Sequence, residues 1–142
     1  MNSQEGVLLN RVMRNAQMGI IGIDSILPRA NGAIRPALES QKKEYIELAC
    51  EARQLMRRTG ETPKNVPHPI RMMATHMGRM KSSVDPSSKH MAKMMTDAST
   101  KGAASLQSAI NRYNGADEKT RALSARLMKT EDQNIAQMKA FL

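Results

Sequence analysis

Aromatic side chains are nearly missing from this sequence. Among 142 residues only Tyr45, Tyr113 and Phe141 are aromatic, and there is no tryptophan. Their scarcity removes the stacking platforms on which single-stranded nucleic acid is usually held, so a nucleic-acid partner is not expected. It also means that a core must be filled by aliphatic residues and by the thirteen methionines, whose flexible thioethers suit irregular gaps. A single cysteine, Cys50, excludes an intramolecular disulfide and any multi-cysteine zinc site. Lying among helix formers, it is expected to be a small core filler. No run alternates β-branched and polar residues over six positions, so strands are not expected. The longest apolar run, MGIIGI at 18–23, is too short to span a bilayer. The opening MNSQEG lacks the basic residues that begin a secretory signal. These absences together predict a cytoplasmic protein with no transmembrane segment.

What is abundant is Ala, Met, Lys, Arg, Gln and Glu, all of them helix formers. The fold class is therefore all-α. The net charge is +9, and it is concentrated. From Arg57 to Lys93 eight basic residues face only Glu61 and Asp85, a local excess of +6. A face of this kind is either simply solvated or attracts an anion. If it binds one, Arg57, Arg58, Arg79 and Lys81 are the candidate contacts.

Punctuation divides the chain. Leu9, Val12, Ala16, Gly19, Ile23 and Ile26 recur at three and four, which predicts a helix over about 4–27 that stops at Pro28. Ile34, Leu38, Tyr45, Leu48, Ala52 and Leu55 predict a second over about 33–58, closed by Thr59-Gly60. ETPKNVPHP, with three prolines in nine residues, is not regular helix. Beyond it, Met73, Met77, Met80, Val84, Ser87, Met91, Met94 and Ala98 keep a heptad register and predict one continuous inward face. Pro86 interrupts that segment. An unbroken helix from Pro69 to Tyr113 would be ~67 Å long, against ~38 Å for its neighbours. The segment is therefore split into an extra helix at about 69–83 and a helix at about 86–113, with Asp85 as its N-cap and Pro86 in its first turn. NGAD at 114–117 precedes a last helix over about 117–141. Two short-turned hairpins joined by the long connection 59–85 match a ferritin-like four-helix bundle better than an up-down-up-down one, so 1–142 is read as one domain of that type.

AQMGIIGIDSILP, MGRMKSSVDPSSKHMAKMM and LMKTEDQNIAQMKAFL, in this order and spacing, resemble an uncharacterised ferritin-like family of small proteins from clostridial-type bacteria. The resemblance implies the bundle fold and a cytoplasmic location. It implies no activity and carries no catalytic residue onto this chain.

A ferritin-like di-iron site takes a Glu from each of two helices and Glu-x-x-His from each of the other two. This chain contains no Glu-x-x-His; the nearest pattern is Glu131-Asp132-Gln133-Asn134. Helical phase puts Glu131 and Asn134 within the apolar arc of Leu123, Leu127, Met138 and Phe141, and puts Gln41 within the stripe of the second helix. Gln17 and Asp24 fall at the edge of the first stripe, and Asp97 points away from the Met/Ala face. One centred acid cannot hold two irons. Glu131, Asn134 and Gln41 are expected to form a hydrogen-bonded polar layer that sets helix register. They are also the candidates should a single metal bind, and no cofactor is expected.

His76-Met77 and His90-Met91 head two copies of a His-Met-small-basic-Met pattern, which raises the possibility of a soft-metal site. The methionines continue the apolar stripe, however, while Arg79, Lys89 and Lys93 beside the histidines oppose another cation. The repeat is read as core. His68, among prolines, is expected at the surface. No Gly-rich phosphate loop or nucleophile elbow is present. The expected function is a non-catalytic bundle, a structural or protein-interaction module that self-associates or takes an unidentified protein partner. The alternatives are a degenerate metal or redox bundle and anion binding through 57–93.

Overall fold

The computed structural model describes residues 3–142, except for the side chain of Ser3. Among the described residues there are five α-helices and no strands: α1 (Ser3–Ile26), α2 (Ile34–Arg58), α3 (His68–Val84), α4 (Ser88–Arg112) and α5 (Glu118–Met138). Short 3-10 turns, Leu27–Arg29 and Lys139–Phe141, follow α1 and α5. Among the described residues no helix is long and apolar enough to cross a membrane.

The turns are built from the residues that permit them. Pro28 has no amide to continue α1, and Gly32 takes φ +76 to reverse the chain into α2. At the end of α2, Gly60 takes φ +79. Its amide bonds Arg57 O at 3.2 Å, and the Glu61 amide bonds Met56 O at 2.8 Å, which closes the helix with a Schellman motif. The break before α4 differs from expectation in detail. Ser87, not Asp85, is the N-cap, its hydroxyl accepting from His90 N at 3.2 Å. Asp85 instead accepts from Ser87 N at 3.0 Å, an Asx turn around Pro86.

Side-chain partners give the helix directions. Gln4 in the first turn of α1 accepts from Gly115 N, in the α4–α5 turn, at 2.9 Å. On α2 and α5, Gln41 meets Gln137 while Glu51 meets Arg126, so these two helices are antiparallel. It follows that α2 and α4 run in the same direction and cannot be joined by a tight turn. The chain must return along the bundle, and it does so beside α1. Residues 61–67 form no regular element, and three α1 side chains satisfy their backbone. Asn10 Oδ1 accepts from Lys64 N at 2.9 Å, and Arg14 Nε donates to Lys64 O at 2.9 Å. Gln17 accepts from Val66 N at 2.9 Å and donates to Asn65 Oδ1 at 2.8 Å. Gln17 is therefore a buried clasp, while Asp24 pairs with Lys42 at the surface. From there α3 continues alongside the second half of α1, Arg29 reaching Ser82 Oγ at 3.4 Å.

The core contains Leu9, Val12, Met13, Ala16 and Ile23 of α1, Ile34, Leu38, Leu48 and Ala52 of α2, Met91, Met95 and Leu106 of α4, and Leu123 and Leu127 of α5. The expected inward face of α3 is wrong. Met73, Met77, Met80 and Val84 are 46–86 % exposed, and the buried residues of α3 are Gly78 and Ser82. Ser87 and Ala98, expected on the same stripe, are exposed as well. Two causes act together. Residues 85–87 are not helical, so the heptad phase does not carry from α3 into α4. And α3 packs so closely on α1 that only small residues fit: a Cβ on Gly78 would lie 1.8 Å from Ser25 Oγ. Cys50 is also exposed, not core, because α2 buries the neighbouring positions Leu48, Ala49 and Ala52.

Gly78→Leu is expected to lift α3 from α1 and cost about 1–3 kcal/mol in urea unfolding. An unchanged midpoint would show that the two helices do not pack this closely.

Candidate functional site

At mid-height α2 and α5 bring together a polar group inside the core. The hydroxyl of Tyr45, itself fully buried, donates to Glu131 Oε1 and accepts from Asn134 Nδ2 at 3.0 Å. Ser99 of α4 flanks the same hydroxyl. Glu131 and Asn134 are three residues apart and so share one face of α5. Two glycines make room for them. A Cβ on Gly19 of α1 would sit 2.6 Å from the Tyr45 ring, and one on Gly102 of α4 would sit 2.5 Å from Glu131 Oε2. Asn15 Nδ2 donates to Gly102 O at 2.8 Å and ties those two helices at this level.

Glu131 and Asn134 are thus buried together, but Gln41 is not their partner. It lies one turn from Tyr45, donates to Gln137 Oε1 at 2.8 Å, and leaves its own buried Oε1 without a partner among the described residues. The hub that sequence reasoning missed is Tyr45, whose spacing marks it as an apolar stripe residue. A signal was available, since a buried tyrosine needs a partner for its hydroxyl.

Burial pushes the Glu131 carboxyl up to about 7, and nearby Asp132 adds to the shift, while the hydrogen bond from Tyr45 works against it. Burial and the adjacent Glu131 raise Tyr45 as well. The layer offers a metal one carboxylate, and among the described residues no group of three His, Cys, Asp or Glu side chains is placed to hold a metal ion. Neither His-Met copy forms a ligand cluster. His76 is exposed on α3, and His90 Nδ1 lies 2.8 Å from Asp85 O. His68 is exposed at the start of α3.

From Tyr45 and Glu131 a groove of about 880 Å³ opens to the surface between α1, α3 and α4. Its walls are small or apolar, among them Gly22, Met18, Met77, Met94 and Leu106. Its mouth carries Arg11, Arg14, Lys81, Lys93 and Lys101, with Asp97 the one carboxylate beside them. Of the four expected anion contacts only Lys81 lines this groove. Arg79 is exposed elsewhere on α3, and Arg57 and Arg58 are exposed in the last turn of α2. The end of α2 lies by the first turns of α1, where Glu61 meets Gly6, whereas the end of α3 lies by Arg29. The four are therefore not one site. The basic cluster that does form draws on α1 and α4, and no linear charge count over 57–93 includes Arg11, Arg14 or Lys101.

The raised Glu131 value has a consequence for stability. The folded state holds the proton more tightly than the unfolded chain, whose carboxyl titrates near 4.5. This contribution is complete below pH 4.5 and is lost as pH rises through about 7, a decline of order 3 kcal/mol. Glu131→Gln keeps an acceptor for Tyr45 and cannot ionise. It is expected to be near neutral at pH 5 and stabilising at pH 8 in urea unfolding. Parallel pH profiles for the two proteins would show that Glu131 titrates normally. No protein-family model matches the chain, and neither the curated proteins nor the solved structures compared with it give a match.

Proposed function

We propose that this chain is a non-catalytic bundle of ferritin-like topology that self-associates through α3, a structural or protein-interaction module of the cytoplasm. The topology is supported by the parallel course of α2 and α4 and by the connection that returns along α1. The ferritin-like family resembled by the three motifs is part of the same reading.

The observation that carries it is the outer face of α3. Ile70, Met73, Met77, Met80 and Val84 are spaced by three and four, and all are exposed. At 100° per residue they form one stripe, nearly opposite the Gly78 and Ser82 face that packs on α1. A heptad stripe of this kind is complementary to a second copy of itself. An antiparallel pair centred on Met77 would place Met73 near the partner's Met80. Lys81 is the basic residue nearest the seam. In that pair the two copies of it stand about eight residues apart, ~12 Å, beyond a Debye length at physiological salt. Methionine suits such an adaptable contact.

Light scattering across a concentration series is expected to show a dimer. Met73→Glu combined with Met80→Glu should leave a folded monomer, because both positions are exposed in the single chain. A wild-type chain that stays monomeric at high concentration would remove this reading.

A further inference from the structure

We propose that the groove between α1, α3 and α4 is a binding site for an amphipathic anion, a small molecule with an apolar body and a carboxylate or phosphate head. Its volume, about 880 Å³, is in the range of pockets that enclose such molecules. It exists because α1 and α4 face each other there through small residues. Gly19 and Gly22 of α1 stand across from Ala98 and Gly102 of α4, and α3 supplies the third wall. Nothing in the bundle fills the space. A Cβ on Gly22 would meet no atom within 4 Å.

The lining determines what fits. Met18, Met77, Met94 and Leu106 form apolar walls, and thioethers adapt to bodies of different shape. At the mouth, Arg11, Lys81, Lys93 and Lys101 form no salt bridge among the described residues, although acidic residues elsewhere on the surface are paired. Arg14 is tethered through Nε to Lys64 O, which holds its guanidinium at the groove. Arg11, Arg14 and Lys101 gather near the level of the Asn15–Gly102 bond, while Lys81 and Lys93 lie toward the other end, with Asp97 between the two lysines of α4. An anionic head seated among neighbouring cations offsets their excess of positive charge. The floor is polar but occupied: Glu131 is only 2 % exposed and accepts from Tyr45. The charged head therefore belongs at the mouth and the apolar body inside. Inorganic phosphate alone lacks the body, and an alkylammonium has the wrong head.

The site meets the self-association stripe at Met77, which borders both, and at Lys81, which stands at the mouth and nearest the seam. Different variants test the two proposals, so they can fail independently. The test uses the full chain and 8-anilinonaphthalene-1-sulfonate, an amphipathic anion whose fluorescence reports transfer from water. Dodecanoate and dodecyl phosphate, below their micelle concentrations, are expected to displace it, and added salt should weaken both. If only one of them displaces the dye, the head-group chemistry is that one. Dodecyltrimethylammonium and inorganic phosphate are expected not to compete. Lys93→Glu with Lys101→Glu should weaken binding by about tenfold or more. Gly22→Phe should abolish it by filling the groove, with the melting temperature kept or raised, since a helix-interior glycine is replaced where there is space. Met73→Gln with Met80→Gln, which adds no charge beside Lys81, should leave binding unchanged. Equal displacement by the cationic and anionic dodecyl compounds would overturn the proposal. Undiminished binding by Gly22→Phe, or no binding of either anion to wild type, would do so too.

Discussion

One helix has to meet all the others. α1 packs against α2, α3, α4 and α5, and it does so because its sides differ in size and polarity. Leu9, Val12, Ala16 and Ile23 enter the core. Gly19 admits the ring of Tyr45, and Ser25 faces Gly78 where α3 comes closest. Asn10, Arg14 and Gln17, at helical spacing, satisfy the irregular backbone at 64–66. A proline-rich segment has few amides to offer and makes no ladder of its own, so its path depends on these side chains. Without that clasp nothing would direct α3 along α1, and the groove would lose a wall.

Much of this was legible in the sequence, and the exceptions have physical reasons. Helix periodicity and the Pro and Gly punctuation are local properties, and the five helices follow them. The orientation of α3 is not local. Its apolar positions form a sound stripe, but a stripe does not say whether it faces the core or a partner, and the small residues Gly78 and Ser82 won the inner side. The burial of Gln41, Glu131 and Asn134 followed from helical phase, whereas their pairing did not, because phase says nothing about depth along a neighbour. The surface contact of Arg126 with Glu44, Glu47 and Glu51 does not follow from phase either, for the same reason. The groove was hidden most completely, since it gathers residues from three separated helices.

The buried layer and the groove are two sides of one packing arrangement. Gly102 is what allows the Glu131 carboxyl to approach α4, and Gly19 does the same for Tyr45 on α1. Having no side chains, the glycines of α1 and α4 put nothing into the space beside the layer, and it stays open as the groove. A carboxyl near its midpoint at neutral pH is costly in a dry core. Here it lies at the floor of an opening with one oxygen bonded to Tyr45, and its 2 % exposure is what raises its carboxyl above the ordinary range.

The long return of the chain also shapes how the bundle assembles. Within each hairpin, α1 with α2 and α4 with α5, contacts are close in sequence and closure is cheap. The contacts that join the hairpins are not: Tyr45 and Glu131 are 86 residues apart, and Glu5 and Thr120 are 115 apart. Loop-closure entropy must be met before those contacts form. The hairpins therefore have the shorter search, and their docking is the slower event. The Tyr45–Glu131 contact belongs with that docking, because it joins one hairpin to the other.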